Sequence, residues 1–274
     1  MTRTGNILPM KSALRLLQIS DPHLLADTSA TLRGVNTLGT LQRVLSHARA
    51  YHWDCEALLV TGDLVHDQPA AYRHFRTLFA GLGKPVYCIP GNHDDPVALR
   101  TALASAPFQC DGHADLGDWR VVLLDSCVPG QASGAISDAG LAALERSLAT
   151  AGSRHVLLAV HHHPVTMDSR WLDQVGLTNA DEFFRVVDRF NNVRSILWGH
   201  VHQPFDGRRK GVRLLAVPST CAQFLPRSDE FAVDPRPPAY RQLTLRADGT
   251  VETNLIWLEA NENEDVTIPA AARG

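Results

Sequence analysis

Residues 14–23 read Leu14-Arg15-Leu16-Leu17-Gln18-Ile19-Ser20-Asp21-Pro22-His23, a short apolar run that stops on a carboxylate and an imidazole. A run this short, bounded by proline, reads as a buried strand over 14–20. The same design recurs along the chain. Residues 57–61 lead into Gly62-Asp63-Leu64-Val65-His66-Asp67, and 86–90 into Gly91-Asn92-His93-Asp94. Residues 156–160 lead into His161-His162-His163-Pro164, and 194–198 into Gly199-His200-Val201-His202. Ligand sites of open α/β sheets lie outside the carboxyl ends of strands, where loops converge. Five polar strand ends therefore point at one crevice.

Further strands are expected over 120–125, 212–217, 240–246 and 251–258. Helical spacing joins Tyr72, Phe75, Phe79 and Leu82, and joins Leu141, Leu144 and Leu148 behind a Ser137 N-cap. Pro69 suits the first turn of a helix. Strand and helix alternate from residue 14 to about 200, and the last three strands follow one another. The chain thus reads as α/β, ending in hairpins. We expect a single domain over 1–258. Within it, 223–240 carries Pro226, Pro235, Pro237 and Pro238 without periodicity and is a candidate lid. Residues 259–274, acidic and then alanine-rich, read as a flexible tail.

Composition narrows the function. Of 274 residues, 45% are hydrophobic and 20% charged, the balance of a globular protein with a sizeable core. The net charge of −3 offers no broad positive field for a nucleic-acid backbone, so no nucleic-acid partner is expected. No apolar run approaches the roughly 20 residues of a membrane span, and residues 1–10 lack a signal-peptide core, so no membrane partner and a cytoplasmic location are expected. Five cysteines without a Cys-x-x-Cys pair suggest neither a disulfide framework nor a thiolate zinc cage. The basic run Arg208, Arg209, Lys210 and Arg213 brackets Gly211 and reads as a solvated hairpin turn.

The donor types decide what the crevice holds. Carboxylates, imidazoles and one amide, with no thiolate, suit Mn²⁺, Fe or Zn²⁺. Asp21, His23, Asp63, Asn92, one of His161 to His163, His200 and His202 make seven ligands. Seven exceed one tetrahedral ion and suit two ions about 3.5–4 Å apart with a shared carboxylate, an arrangement that displaces a leaving oxygen at phosphorus. In Asp21-x-His23 and His200-x-His202, residues two apart in an extended segment project the same way. Singly, each motif could be a turn or a cap; five at five strand ends are not coincidence. Of the 13 histidines, His47, His52, His66, His74, His113 and His155 read as surface or satisfied residues without an assigned role.

These motifs, Asp-x-His, Gly-Asp, Gly-Asn-His-Asp, a strand-end His and Gly-His-x-His, resemble those of the calcineurin-like metallophosphoesterase superfamily. Gly34-Val35-Asn36-Thr37, Trp171-Leu172-Asp173-Gln174 and Pro218-Ser219-Thr220-Cys221 followed by Gln223-Phe224 are similar to its bacterial class III branch, which hydrolyses 3′,5′-cyclic AMP. The resemblance implies a four-layer α/β/β/α sandwich, with two mixed sheets flanked by helices and a dinuclear site at strand carboxyl ends. It further implies that Asp21, His23 and His202 hold one ion, that Asn92, His161 and His200 hold the other, and that Asp63 bridges them. Aligning the preceding strand selects His161, whereas counting back from Pro164 would select His162. The substrate phosphate is expected against His23, Asp63, Asn92, His93, His161 and His202, with His93 as proton donor and Asp94 orienting it. Rival readings are the same metal chemistry on another small phosphodiester, or a non-catalytic scaffold of this fold.

Overall fold

The computed structural model describes residues 13–259. In chain order its elements are β1 (Leu14–Ile19), α1 (Thr37–Tyr51), β2 (Ala57–Thr61), α2 (Tyr72–Ala80), β3 (Val86–Ile89), α3 (Pro96–Ala102), β4 (Phe108–Gln109), β5 (Gly112–Leu116), β6 (Trp119–Leu123), α4 (Asp138–Ala149), β7 (His155–Ala159), α5 (Arg170–Asp173), α6 (Ala180–Val187), β8 (Val193–Trp198), β9 (Phe205–Arg209), β10 (Val212–Ala216), β11 (Gln223–Phe224), β12 (Val233–Asp234), β13 (Ala239–Leu245) and β14 (Val251–Trp257). All nine expected strands are present within one or two residues at each end. Except for Glu259, the expected tail lies outside the described residues.

Two six-stranded mixed sheets form, in the orders β14-β13-β1-β2-β3-β4 and β5-β6-β7-β8-β10-β9. Their central strands run parallel, so their carboxyl ends share one edge. Alternation along each strand explains why these runs are apolar throughout. In β2, Leu58 and Val60 face α1 and α2, while Ala57 and Leu59 face the second sheet. In β7, Val156 and Leu158 face α4 and α6, while Leu157 and Ala159 face the first sheet. A strand buried on both faces shows no polar alternation. Three apolar layers result, one between the sheets and one under each helical layer, giving the α/β/β/α sandwich.

Asn36 caps α1 by accepting from Gly39 N at 2.6 Å, and Ser137 caps α4 by accepting from Gly140 N at 3.1 Å. The candidate lid is a two-stranded hairpin of β11 and β12 rather than an open loop. The basic run forms the β9–β10 hairpin, with Arg213 paired to Asp206 and with Arg209 and Lys210 paired to Asp188. Hydrogen bonding from Arg209, assisted by Lys210, holds the Asp188 carboxyl down at about 2. A carboxyl depressed in the folded state stabilises above its unfolded value near 4, and that contribution is lost as pH falls through 2. Asp188→Asn should therefore lower the urea midpoint slightly at pH 6, with the difference shrinking from about pH 4 down through pH 2. A difference that persists unchanged to pH 2 would show that charge plays no part. No helix among the described residues is long and apolar enough to cross a membrane.

Candidate dinuclear metal centre

The strand ends are tied before any ligand is placed. Gln18 Nε2 donates to Thr61 Oγ1 and to the Trp198 carbonyl, both at 3.2 Å, joining β1, β2 and β8. Thr61 Oγ1 donates to Ser20 Oγ at 2.7 Å, and Ser20 Oγ donates to the Thr61 carbonyl at 3.2 Å. Ser219 Oγ donates to the Asp21 carbonyl at 2.7 Å, so the Pro218–Cys221 segment braces the end of β1. From this frame Asp21, His23, Asp63, His200 and His202 all leave with φ between 45° and 65°. Non-glycine residues rarely adopt that left-handed conformation, and such strain gathers at functional sites.

The seven expected ligands come together. Asp21, His23 and His202 form one buried group, and Asp21, Asp63 and His161 another. One oxygen of Asp63, Oδ2, lies 3.5 Å from His23 Nε2 and 3.4 Å from His161 Nε2, between the two expected sets. His202 Nε2 lies 3.4 Å from Asp21 Oδ1 and 3.1 Å from His23 Nε2. Asn92 Oδ1 lies 3.2 Å from His161 Nε2. His200 completes a group with His161 and His162.

In His161, His200 and His202 the remaining nitrogen is committed to a backbone carbonyl, which fixes the tautomer that leaves a lone pair for an ion. His161 Nδ1 donates to the Thr61 carbonyl at 2.8 Å, and His202 Nδ1 to the Ala222 carbonyl at 2.6 Å. His200 donates through Nε2 to the Val175 carbonyl at 3.0 Å, and His23 Nδ1 faces His66 Nδ1 at 3.1 Å. Burial drives His23 and His200 well below the ordinary imidazole range, keeping them neutral as coordination demands. His161, despite burial, is pushed up to about 9 by Asp63, and His161 and His23 in turn hold the buried Asp63 carboxyl well below its usual range. Imidazole nitrogens, an amide oxygen and carboxylates, with His161 giving up its proton on coordination, fit a pair of divalent ions. His162 donates to or accepts from Ser126 Oγ at 2.7 Å, and among the described residues no hydrogen bond joins it to Asp63 or Asn92.

Glycines let these groups close. A Cβ at Gly199 would fall against Ser20 Oγ, 2.6 Å from Asp21 Oδ2 and 2.8 Å from the Thr61 carbonyl oxygen. Gly199→Ala must therefore displace the Asp21 carboxylate that accepts from His200 N at 3.0 Å. We expect metal affinity to fall at least about 10- to 100-fold, the cost of losing an orienting partner, read by competition titration with a chelator. Affinity equal to the parent would mean that the close approach is not needed.

His93 sits on the open side. Its Nδ1 lies 3.1 Å from both carboxylate oxygens of Asp67, leaving Nε2 as the nitrogen available to the cavity that His93 lines. Its ring lies against His66, with centroids 4.3 Å apart and 30° between planes, and its backbone N donates to Asp63 Oδ1 at 2.9 Å. Asp94 is turned away from that ring. It accepts from Leu64 N, Gly91 N and the Tyr72 hydroxyl at 3.0, 2.9 and 2.8 Å, and burial, with Asp63 nearby, pushes it up to about 7. The carboxylate that orients His93 is Asp67, three residues beyond Leu64 in the same loop. His66, read as a surface or satisfied residue, lies in the site against His23 and His93; its place directly before Asp67 and three residues after Asp63 was the available signal. Cys221 is buried and its thiol is pushed up to about 12, which removes it as a nucleophile.

The sequence profile of calcineurin-like phosphoesterases matches residues 14–204, and the chain belongs to that family. Among its relatives, the 3′,5′-cyclic adenosine monophosphate phosphodiesterase CpdA of Escherichia coli K12 is 42% identical over 247 residues, 89% of this chain and 90% of that protein. The protein of the same name from Pseudomonas aeruginosa is 39% identical over 93% of this chain and 94% of its own length. A Nostoc 3′,5′-cyclic-nucleotide phosphodiesterase is 35% identical over 89% of this chain and 92% of its own. A dimetal phosphatase from Danio rerio shares the fold, with a TM-score of 0.61 at 16% identity over 89% of this chain and 98% of that one.

Proposed function

We propose that this chain hydrolyses 3′,5′-cyclic AMP to 5′-AMP at two divalent ions, Fe, Mn or Zn, and so lowers the cellular cyclic AMP level. The observation that carries the reading is the Asp63 oxygen placed within 3.5 Å of histidines from both ligand sets. Asp21, His23 and His202 would hold one ion, Asn92, His161 and His200 the other, and Asp63 both. Relatives with matching names, aligned over about nine-tenths of the chain, supply the substrate.

Bound there, the ions supply positive charge to the phosphoryl oxygens and acidify water at neutral pH. The protein does the rest. The strained strand ends hold the donor set in place, and His93 presents Nε2 to the ribose 3′ oxygen. That oxygen leaves poorly as an alkoxide, so a proton must reach it as the P–O3′ bond breaks. Donation from Nε2 requires the ring to be protonated at both nitrogens, and Asp67 accepts the Nδ1–H and aims the ring. Five free cysteines support a reducing, cytoplasmic location.

The test reconstitutes metal-free protein with each ion and identifies the product by ³¹P NMR. Conversion of cyclic AMP to 5′-AMP is expected, without 3′-AMP. No turnover of any cyclic nucleotide with any of the three ions would sink the reading. Hydrolysis of open diesters alone would favour a different small phosphodiester.

A further inference from the structure

The cavity of about 160 Å³ that holds the histidines continues into a wall that the proposed chemistry does not use. Arg33 reaches it from the turn between β1 and α1, Trp171 from α5, Phe224 from β11, and Phe231 from the turn that joins β11 to β12. Phe224 lies flat on His202, with centroids 4.0 Å apart and 4° between planes. It meets Trp171 and Phe231 nearly at right angles, each at 5.3 Å. The Arg33 guanidinium sits 4.2 Å over the face of Phe231. Arg33 holds a left-handed backbone, φ 53°, and among the described residues its N–H groups meet no carboxylate and no carbonyl.

We propose that this wall is the nucleobase subsite, with the purine packed against the aromatic rings and its N7 edge turned to Arg33. The inference rests on the reading that the substrate is a cyclic nucleotide. Phe224, stacked on an expected metal ligand, fixes the distance from base to phosphate. Aromatic faces accept any base, so the stack supplies affinity without sequence. Reading therefore falls to Arg33, whose planar fork donates to N7 of either purine and also to O6 of guanine. The exocyclic amine of adenine needs an acceptor, and Arg33, Trp171, Phe224 and Phe231 offer none. The subsite thus selects purine over pyrimidine but does not select adenine over guanine.

Calorimetry on the full-length, Mn²⁺-loaded protein tests this with 5′-AMP, 5′-GMP, 5′-CMP and ribose 5-phosphate. Both purine nucleotides should bind at least about tenfold tighter than ribose 5-phosphate and within about tenfold of each other, with 5′-CMP weaker than either. Arg33→Ala and Phe231→Ala, both at exposed positions, should erase most of the purine increment and leave ribose 5-phosphate binding as it was. Arg33→Lys, which keeps the charge but loses the fork, should fail to restore it. A purine increment that survives both alanine variants overturns the subsite. So does an Arg33→Ala variant that weakens ribose 5-phosphate as much as 5′-AMP, which would make Arg33 a phosphate ligand. A preference for 5′-AMP over 5′-GMP beyond about a hundredfold overturns Arg33 as the reader. If cyclic AMP is converted to 5′-AMP while the increment survives, only the subsite fails. If no cyclic nucleotide is turned over and no nucleotide outbinds ribose 5-phosphate, the functional reading fails and the subsite with it.

Discussion

Asp63→Ala should purify folded, hold less than one metal per chain where the parent holds two, and lose more than about 100-fold of its activity. The expectation follows from where the carboxylate sits. Its Oδ2 is within 3.5 Å of His23 Nε2 and 3.4 Å of His161 Nε2, so one oxygen serves both halves of the centre. Its Oδ1 accepts from His93 N at 2.9 Å, which fixes the carboxylate plane against the Gly91–Asp94 turn. Removing an orienting partner of a ligand costs about 10–100-fold in metal affinity, and removing a shared ligand must cost more. Folding should survive, because Asp63 belongs to none of the three apolar layers and alanine keeps the backbone carbonyl that accepts from His23 N at 2.9 Å. In the metal-free protein the substitution leaves His161 without the carboxylate that raises it, so that imidazole should become neutral near pH 7. Elemental analysis after gel filtration decides the matter. Two retained equivalents would remove the bridging role, and loss of one alone would make Asp63 a ligand of a single ion.

The fold was legible where burial is complete on both faces of a strand. Leu58-Leu59-Val60 and Leu157-Leu158-Ala159 show no alternation because alternate residues enter different apolar layers, and their length, with the glycine or histidine that follows, marks them as strands. The edge strands of the second sheet were not legible. Gly112–Leu116 in β5 and Phe205–Arg209 in β9 mix glycine, charge and single apolar residues, since one side of an edge strand needs no core. Helix α1 escaped because its buried face alternates leucine and valine with Thr37, Thr40 and Ala48, which carry little hydrophobic contrast. At the site, ligand types could be read because each closes a strand. Which carboxylate orients His93 could not, since Asp67 and Asp94 are both four residues or fewer from a motif residue, and only the left-handed turn at Asp67, φ 56°, aims it at the ring.

His93→Ala should keep two metals and the parent's melting behaviour while kcat for cyclic AMP falls about 10²–10⁴-fold, the usual worth of a positioned proton donor. His93 is half-buried at the cavity mouth and is not among the seven expected ligands, so its loss should remove no coordinating atom. The choice of substrate separates proton donation from phosphate binding. A diester whose leaving group is 4-nitrophenolate departs without a proton, so His93→Ala should cost it far less than it costs cyclic AMP. Equal losses on both would make His93 a phosphate ligand. Asp67→Asn should show the same selectivity in weaker form, because the amide can still hold the ring but no longer sets a negative charge beside the doubly protonated imidazole that donates from Nε2. Asp94→Asn carries the opposite expectation. Its carboxyl is held by backbone N–H groups and the Tyr72 hydroxyl beneath the site, so the variant should lose stability and metal affinity together, without discriminating between leaving groups. A selective loss with Asp94→Asn and none with Asp67→Asn would reverse the assignment of the orienting carboxylate.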